Sequence, residues 1–479
     1  MNDLMKLYIK ALNEEEKKND NIEKDYWRLG YHLMPTVGWL NDPNGLCEFN
    51  GEYHVFYQYS PTDVNGGLKF WGHYTSKDFI NWTKHDVAIY PDQVFDLHGV
   101  FSGTSFIEDG KMNCYYTGTV KRQGYNDNYE IEGMEQNTIL VTSEDGFTFS
   151  DKKLLLTNED YPNMSWHVRD PKVWREDDIY YMVLGARSEK NEGCVLLYCS
   201  EDKVNWKYIN TLKTKKRFGY MWECPDLFDI DNKKLLITCP QGVKLDGVDL
   251  VNIHQCGYFL IEGDIRSDNH EFSKFITLDR GFDFYAPQTF LDSKGRRILI
   301  GWLSISDTPF GYPTTDNGWN HCLSIPRELK FKNNKLIQCP IEELKSLRKE
   351  KIDFEIVNGE MNKVIYGDKY ELEINFENDV ELLEITLRRD IKITYASGEF
   401  KLSFGVSGYG RDERTVIVEE LKNIRVFMDT SSIEVFLNNG EEVFTSRVFP
   451  EKDDLIINIS AEGLKIYGEV YLLDEFNYK

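Results

Sequence analysis

The sequence predicts an all-β chain, a five-bladed β-propeller followed by a C-terminal β-sandwich. Three observations lead there. A unit of strand, turn and returning strand recurs five times, its starts lie roughly 50 to 70 residues apart, about one four-stranded propeller blade, and the region beyond residue 352 alternates apolar and polar residues.

The first unit is Asn41-Asp42-Pro43-Asn44-Gly45-Leu46 with the run Tyr53 to Gln58, and the second is Phe101-Ser102-Gly103-Thr104 with Met112 to Tyr116. Arg169-Asp170-Pro171-Lys172-Val173-Trp174 with Ile179 to Leu184 forms the third, and Glu223-Cys224-Pro225-Asp226-Leu227-Phe228 with Lys234 to Cys239 the fourth. Tyr285-Ala286-Pro287-Gln288-Thr289-Phe290 with Arg297 to Trp302 completes the set. Each begins with a polar or small dipeptide, turns at Asp, Asn or Gly, and returns as an apolar strand. A third strand often follows and closes on Ser-x-Asp, at Ser76, Ser143 and Ser200.

Residues 1–26 read as a polar helical extension and 27–335 as the propeller. A charged stretch around Ile341 to Lys351 predicts a linker helix over 336–352. Alternating runs at Tyr370 to Phe376, Ile424 to Met428 and Ile433 to Leu437 place a sandwich over 353–479, with Asn439-Gly440 as a hairpin turn.

Composition narrows the function classes. With 479 residues, 41% hydrophobic and 28% charged, the chain is long enough for two globular domains. A formal charge of −24 repels phosphodiester backbones and anionic bilayers, so neither nucleic acid nor membrane is an expected partner. The N-terminus has no apolar signal core, and no stretch approaches the ~18 apolar residues of a span. Nine scattered Cys without a Cys-x-x-Cys pair indicate neither disulfide framework nor zinc site, and the expected location is a reducing cytoplasm. The nine His form no His-x-x-x-His pair, so no metal or other cofactor is expected.

The first strand of each propeller blade lines the central channel, so equivalent positions of different units converge at one mouth. On that reading Asp42, Asp170 and Glu223 meet there. Taken alone, Asp42 fits a turn or helix cap, and Asp170 beside Arg169 fits a local ion pair. Two carboxyl groups across a glycosidic bond suffice for hydrolysis, by retention at roughly 5 to 5.5 Å separation and by inversion at roughly 6.5 to 9.5 Å. Met221, Trp222 and Cys224 beside Glu223 predict a raised pKa suited to a general acid, whereas Asn41 and Asn44 predict an ionised Asp42.

At these residues the sequence resembles glycoside hydrolase family 32, the family of invertases, inulinases and sucrose-6-phosphate hydrolases, over most of its length. Trp39 to Gly45 is similar to the family's nucleophile motif, Phe101-Ser102-Gly103 to a substrate-contact motif, Arg169-Asp170-Pro171 to the stabiliser motif and Glu223-Cys224-Pro225 to the acid/base motif. The resemblance implies retaining cleavage of a β-fructofuranosyl bond, with Asp42 as nucleophile, Glu223 as acid/base and Asp170 as stabiliser. It implies sugar contacts at Trp39, Leu40, Asn41, Gln58, Trp71, Phe101, Ser102, Arg169 and Trp302.

Many invertases carry a Trp in the loop between Gln58 and Trp71, but Asp63 to Phe70 has none. Gly67-Leu68-Lys69-Phe70-Trp71 and Gly219-Tyr220-Met221-Trp222 are instead similar to the members that cleave sucrose 6-phosphate. A phosphorylated sugar needs a cation at the pocket rim. Lys69 is the first candidate, followed by Arg187 and the Lys213, Lys215, Lys216, Arg217 cluster, which also fits a solvated face. Free sucrose or short fructans, fructosyl transfer, and a carbohydrate-binding propeller without catalysis are the alternatives. Oligomeric state is not legible.

Overall fold

The computed structural model describes residues 3–18, 25–124, 132–357, 359–376, 380–462 and 466–479. A helix, Asp3–Lys18, opens the chain; Ile9 is buried and Tyr8 stacks on Phe70 of blade one with ring centroids 5.8 Å apart. Residues 19–24 of the expected extension lie outside the described residues. No helix among the described residues is long and apolar enough to cross a membrane.

Five antiparallel sheets form the propeller. Blade one is Gly38–Phe49, Glu52–Ser60, Phe70–Ser76 and Asn81–Ile89; blade two is Val100–Glu108, Lys111–Lys121, Met134–Ser143 and Lys153–Leu156. Blade three is Met164–Glu176, Ile179–Ser188, Gly193–Ser200 and Lys207–Leu212. Blade four is Met221–Ile230, Lys233–Gln241 and Gly257–Gly263, edged by His270–Phe272 and Ile276–Thr277. Blade five is Tyr285–Leu291, Arg297–Trp302, Arg327–Lys332 and Lys335–Pro340. The ring closes where Trp319–Asn320 pairs in parallel with Gly38 and Trp39. A second parallel pair, Asn477 and Tyr478 against Asn81 and Trp82, brings the end of the chain back onto blade one.

The Ser-x-Asp repeats are turn devices. Asp78, Asp145 and Asp202 each accept backbone N–H groups two and three residues ahead, and the preceding Ser hydroxyl donates to the same carboxylate.

The expected boundary at 335 and the linker helix over 336–352 are both corrected. Asn333 and Asn334 take left-handed backbone, with φ of 54° and 60°, and make a hairpin turn of the kind that favours positive φ twice. The chain therefore returns as the outer strand of blade five, and the propeller extends to Pro340. Only Glu342–Leu347 is helical, as a short 3₁₀ segment, and Arg348–Val357 is already a sandwich strand. Lys349, Glu350, Lys351 and Asp353 of that strand are exposed whereas Phe354 and Ile356 are buried, so its charged first half mimics a polar helix in sequence.

In the sandwich one half runs Glu413–Ile417, Glu399–Phe404, Ile391–Ala396, Leu382–Leu387 and Ile456–Glu462. The other runs Arg348–Val357, Ile466–Leu473, Tyr370–Asn375, Asn423–Asp429, Ser432–Leu437 and Glu442–Arg447. Alternate residues of both halves, among them Leu372, Ile385, Ile393, Val426 and Val435, fill one apolar core.

Candidate active site

Every inner strand breaks its ladder at the repeated dipeptide, where two residues oppose one. The bulges fall at Asn41-Asp42, Phe101-Ser102, Asp170-Pro171, Cys224-Pro225 and Ala286-Pro287. Asp170, Cys224 and Ala286 hold left-handed backbone, with φ of 62°, 50° and 47°. These three are therefore the equivalent positions. Glu223 matches Arg169 and Tyr285 one residue earlier, and Asp42, second in its bulge, matches Ser102 and Pro171, which corrects the expected equivalence of the three acids. The bulge turns both residues of the motif toward the channel, so the carboxylates still meet.

They line a cavity of about 840 Å³ together with Trp39, Asn41, Gln58, Lys69, Phe101, Arg169, Arg187 and Trp302. Three residues expected to touch sugar, Leu40, Trp71 and Ser102, do not line it. Leu40 is fully buried in the propeller core, because it lies one residue before the bulge and points away from the channel. Trp71 is also fully buried; its indole N–H donates to the Phe101 carbonyl at 2.9 Å, so it supports the wall from behind. Ser102 acts through Asp42 rather than lining the cavity itself.

Asp42 sits at the end of a relay. Trp39 Nε1 donates to Asn41 Oδ1 at 2.8 Å, Asn41 Nδ2 donates to Asp42 Oδ1 at 3.0 Å, and the Ser102 hydroxyl donates to Asp42 Oδ2 at 2.5 Å. The Gln58 amide donates in turn to Ser102. Burial raises the Asp42 pKa, and the Ser102 and Asn41 hydrogen bonds offset only part of that rise.

Glu223 is gripped on both oxygens. Arg169 donates to Oε1 from Nη2 at 2.7 Å and from Nε at 3.1 Å, while Gln241 Nε2 and the Tyr285 hydroxyl each donate to Oε2 at 2.7 Å. Burial pushes the carboxyl up, but the Arg169 guanidinium and the Tyr285 hydrogen bond outweigh it and leave the pKa below its ordinary value. The raised value expected from Met221, Trp222 and Cys224 is thus reversed, because neighbours in sequence are not the neighbours of the side chain.

Asp170 accepts the Cys224 backbone N–H at 2.9 Å. Burial raises it to about 7, against the pull of Arg169 and with added repulsion from Glu223 and Asp42. The Cys224 thiol, held protonated by burial and by these carboxylates, lies 3.6 Å from Asp170 Oδ2 and 3.7 Å from Asp42 Oδ2. Lys172, on the same strand as Asp170, bridges Asp226 at 3.0 Å and Gln288 at 3.3 Å.

Lys69 lies over the Trp39 ring at 5.0 Å, and burial lowers its pKa to about 7 against the attraction of Asp42 and Asp63. Arg187 also lines the cavity, stacked on Tyr220 at 4.7 Å. Lys213, Lys215 and Arg217 line a separate shallow pocket, where Lys213 pairs with Glu192 and Lys215 with Glu271. They belong to a solvated face. Gln241, Tyr285 and Gln136, which accepts from Arg169 at 3.1 Å, are polar site residues that were not singled out from the sequence. Tyr285 alone carried a signal, as the first residue of the fifth unit. No group of three or more His, Cys, Asp or Glu among the described residues could hold a metal.

A propeller joined to a sandwich, with three carboxylates gathered in one cavity, fits a class of glycoside hydrolase. Residues 32–340 match the N-terminal domain of glycosyl hydrolases family 32, residues 343–471 match that family's C-terminal domain, and the chain belongs to this family. It is 36% identical over 467 residues to a sucrose-6-phosphate hydrolase of Bacillus subtilis, spanning 95% of each chain. The structure of a sucrose-6-phosphate hydrolase from Lactobacillus gasseri superposes with a TM-score of 0.87 at 26% identity, over 98% of this chain and 96% of that one. A mutant of a Bombyx mori family 32 β-fructofuranosidase, in complex with sucrose, superposes with a TM-score of 0.82 at 28% identity over 100% of both chains. The chain is a glycoside hydrolase of the β-fructofuranosidase type.

Proposed function

We propose that the chain hydrolyses the β-fructofuranosyl bond of sucrose 6-phosphate, and of sucrose, inside the cell, releasing fructose with retention. Asp42 attacks the anomeric carbon of the fructosyl unit while Glu223 protonates the departing glycosidic oxygen. The resulting fructosyl ester is cleaved by water, whose proton passes to Glu223 and restores both carboxyl groups. Asp170 accepts hydrogen bonds from fructosyl hydroxyls as positive charge develops at the anomeric carbon.

Phosphate preference rests on one observation, a half-buried lysine in the cavity wall. Lys69 at about pH 7 is poised between ammonium and amine, and a phosphate dianion beside it favours the ammonium. Purified protein is expected to show kcat/KM for sucrose 6-phosphate at least about tenfold above that for sucrose, a difference that shrinks in Lys69→Ala. Because deprotonation removes the charge, the preference declines as pH rises above about 7. Equal values for both sugars would leave a general β-fructofuranosidase acting on sucrose or short fructans, the reading favoured by the sucrose-bound Bombyx mori relative.

The three carboxyl groups predict the pH profile. The reactive form needs one proton on Glu223 with Asp42 and Asp170 ionised. In the empty site the last proton resides mainly on Asp170, held to about 7, but the two arrangements carry the same total charge and titrate together. The value of kcat/KM for sucrose is expected to fall above about pH 7 as that shared proton is lost. It falls again in acid as Asp42, raised by burial, becomes protonated. A flat profile from pH 5 to 9 would contradict a shared proton.

A further inference from the structure

One side chain in the cavity wall has no partner to explain its burial. His321 is 1% exposed and lines the cavity, yet among the described residues neither ring nitrogen has a hydrogen-bond partner. Its ring stands edge-on to Trp39, Tyr312 and Trp302, with centroids 4.2, 4.5 and 5.2 Å away. Trp302 Nε1, buried in the same wall, is unpartnered as well. Buried polar atoms are ordinarily paired, and clusters of exceptions mark places where something else completes them.

The position is built rather than incidental. His321 holds a left-handed backbone with φ of 67°, a conformation that a non-glycine residue keeps only where its surroundings impose it. Those surroundings begin with the strand pairing of Trp319 and Asn320 to Gly38 and Trp39. Asn320 Oδ1 accepts the His321 N–H at 3.0 Å, and Asn320 Nδ2 donates to the Val64 carbonyl at 3.3 Å. The segment therefore ties the imidazole to the same loop that carries Lys69.

The charge state selects the ligand. Burial drives the His321 pKa well down, and Arg447, Lys69 and Arg411 add to the cost of protonation. A neutral imidazole offers one donor and one acceptor. A phosphate dianion or carboxylate satisfies only the donor, whereas a sugar hydroxyl, itself donor and acceptor, can meet either nitrogen.

We infer that His321 is a substrate-binding residue that exchanges hydrogen bonds with a hydroxyl group of the sugar entering between Trp39, Trp302 and Tyr312. The inference rests on the fructoside-hydrolase reading of the cavity. Within it, His321 and Lys69 divide the work: Lys69 provides charge for an anionic substituent, and His321 distinguishes a neutral hydroxyl from its absence. Sites built to bond a hydroxyl reject analogues lacking it far more strongly than apolar pockets reject an extra group.

The test is a cycle between protein and substrate. Values of kcat/KM are measured for sucrose and each monodeoxysucrose with wild type, His321→Phe, which keeps an aromatic ring without nitrogens, and His321→Asn, which tolerates the left-handed backbone with a shorter side chain. Both variants are expected to lose about 10- to 100-fold on sucrose with thermal unfolding unchanged. One deoxy analogue is expected to be slow with wild type by a similar factor and to suffer no further loss in either variant. A variant within threefold of wild type on sucrose, or penalties that multiply for every analogue, would overturn the inference. If the Phe variant does not fold, the Asn variant alone decides by the same criteria. Wild type inactive on every β-fructoside would overturn the reading beneath the inference, whereas an active wild type with an indifferent variant overturns the inference alone.

Discussion

Asp42→Asn is expected to lower kcat for sucrose by about 10⁴-fold or more while the protein still binds the sugar, because the substitution removes the nucleophile and little else. The amide can keep the hydrogen bond from Ser102 only on its oxygen, so the relay through Asn41 and Gln58 survives in part. Glu223→Gln should be comparably slow on sucrose, whose leaving group needs a proton. On an aryl β-fructofuranoside with an acidic leaving group the same variant should recover a large share of the rate of fructosyl transfer to Asp42, since protonation then matters less. Tryptophan fluorescence during sucrose titration separates binding from turnover, Trp39 and Trp302 being in the cavity wall. If Asp42→Asn turned sucrose over at the wild-type rate, the nucleophile assignment would fail and a carbohydrate-binding propeller would become the better account. Losses in the double variant should fall well short of the product of the single losses, because the two carboxyl groups act in one step.

Much of this site was legible in the chain because a propeller is a repeat, and repetition converts sequence position into spatial convergence. The five units, the acids at Asp42, Asp170 and Glu223, and the outward alternation of the sandwich strands all follow from local pattern. Direction within a bulge does not. Leu40 and Asn41 are adjacent, yet one enters the core and the other the cavity, and only the ladder register shows where that reversal falls. Trp71, a sugar contact only by the family resemblance, supports Phe101 from behind. Electrostatics are less legible still. Apolar neighbours in sequence suggested an elevated Glu223, and burial does push it up, but Arg169 and Tyr285, drawn from blades three and five, outweigh that rise. His321 escaped notice because its segment, beyond the fifth unit's second strand, joins the site through parallel pairing with blade one, which no periodicity announces. The linker failed for a related reason: a strand whose first half exposes Lys349, Glu350 and Lys351 in succession has the composition of a polar helix.

The seam between propeller and sandwich carries the second large expected effect, on stability. Arg327, fully buried in blade five, donates to Asp279 at 3.1 Å, to Gln338 at 2.9 Å and to Glu434 of the sandwich at 2.5 Å. Glu434 also faces His32 Nε2 at 3.1 Å and accepts the Ile325 N–H at 2.9 Å, while His32 Nδ1 faces Asp429 at 2.8 Å. Removing one member of such a set leaves the others buried and uncompensated. Glu434→Ala is therefore expected to destabilise the protein by about 3–5 kcal/mol in urea unfolding, where an isolated surface pair would be worth less than about 1 kcal/mol. The sign of the pH dependence follows from the shifts. Burial opposes the charge on His32, but hydrogen bonds to Asp429 and Glu434 prevail and raise its pKa, so its contribution is full below the ordinary imidazole value near 6.5 and is lost as pH rises through the folded value. Asp429 and Glu434 are held below their ordinary values, burial notwithstanding, by His32 and Arg327. Their contribution is full above about 4.5 and is lost as pH falls through the folded values. The contribution of this seam to stability should therefore be greatest between about 4.5 and 6.5, and Glu434→Ala should flatten its decline above that range. An unfolding midpoint in Glu434→Ala within experimental error of wild type would mean that this ion set adds nothing to the strength of the seam, which Arg411–Asp283 and apolar packing would then carry. In that case the set would serve registry of the seam rather than its strength.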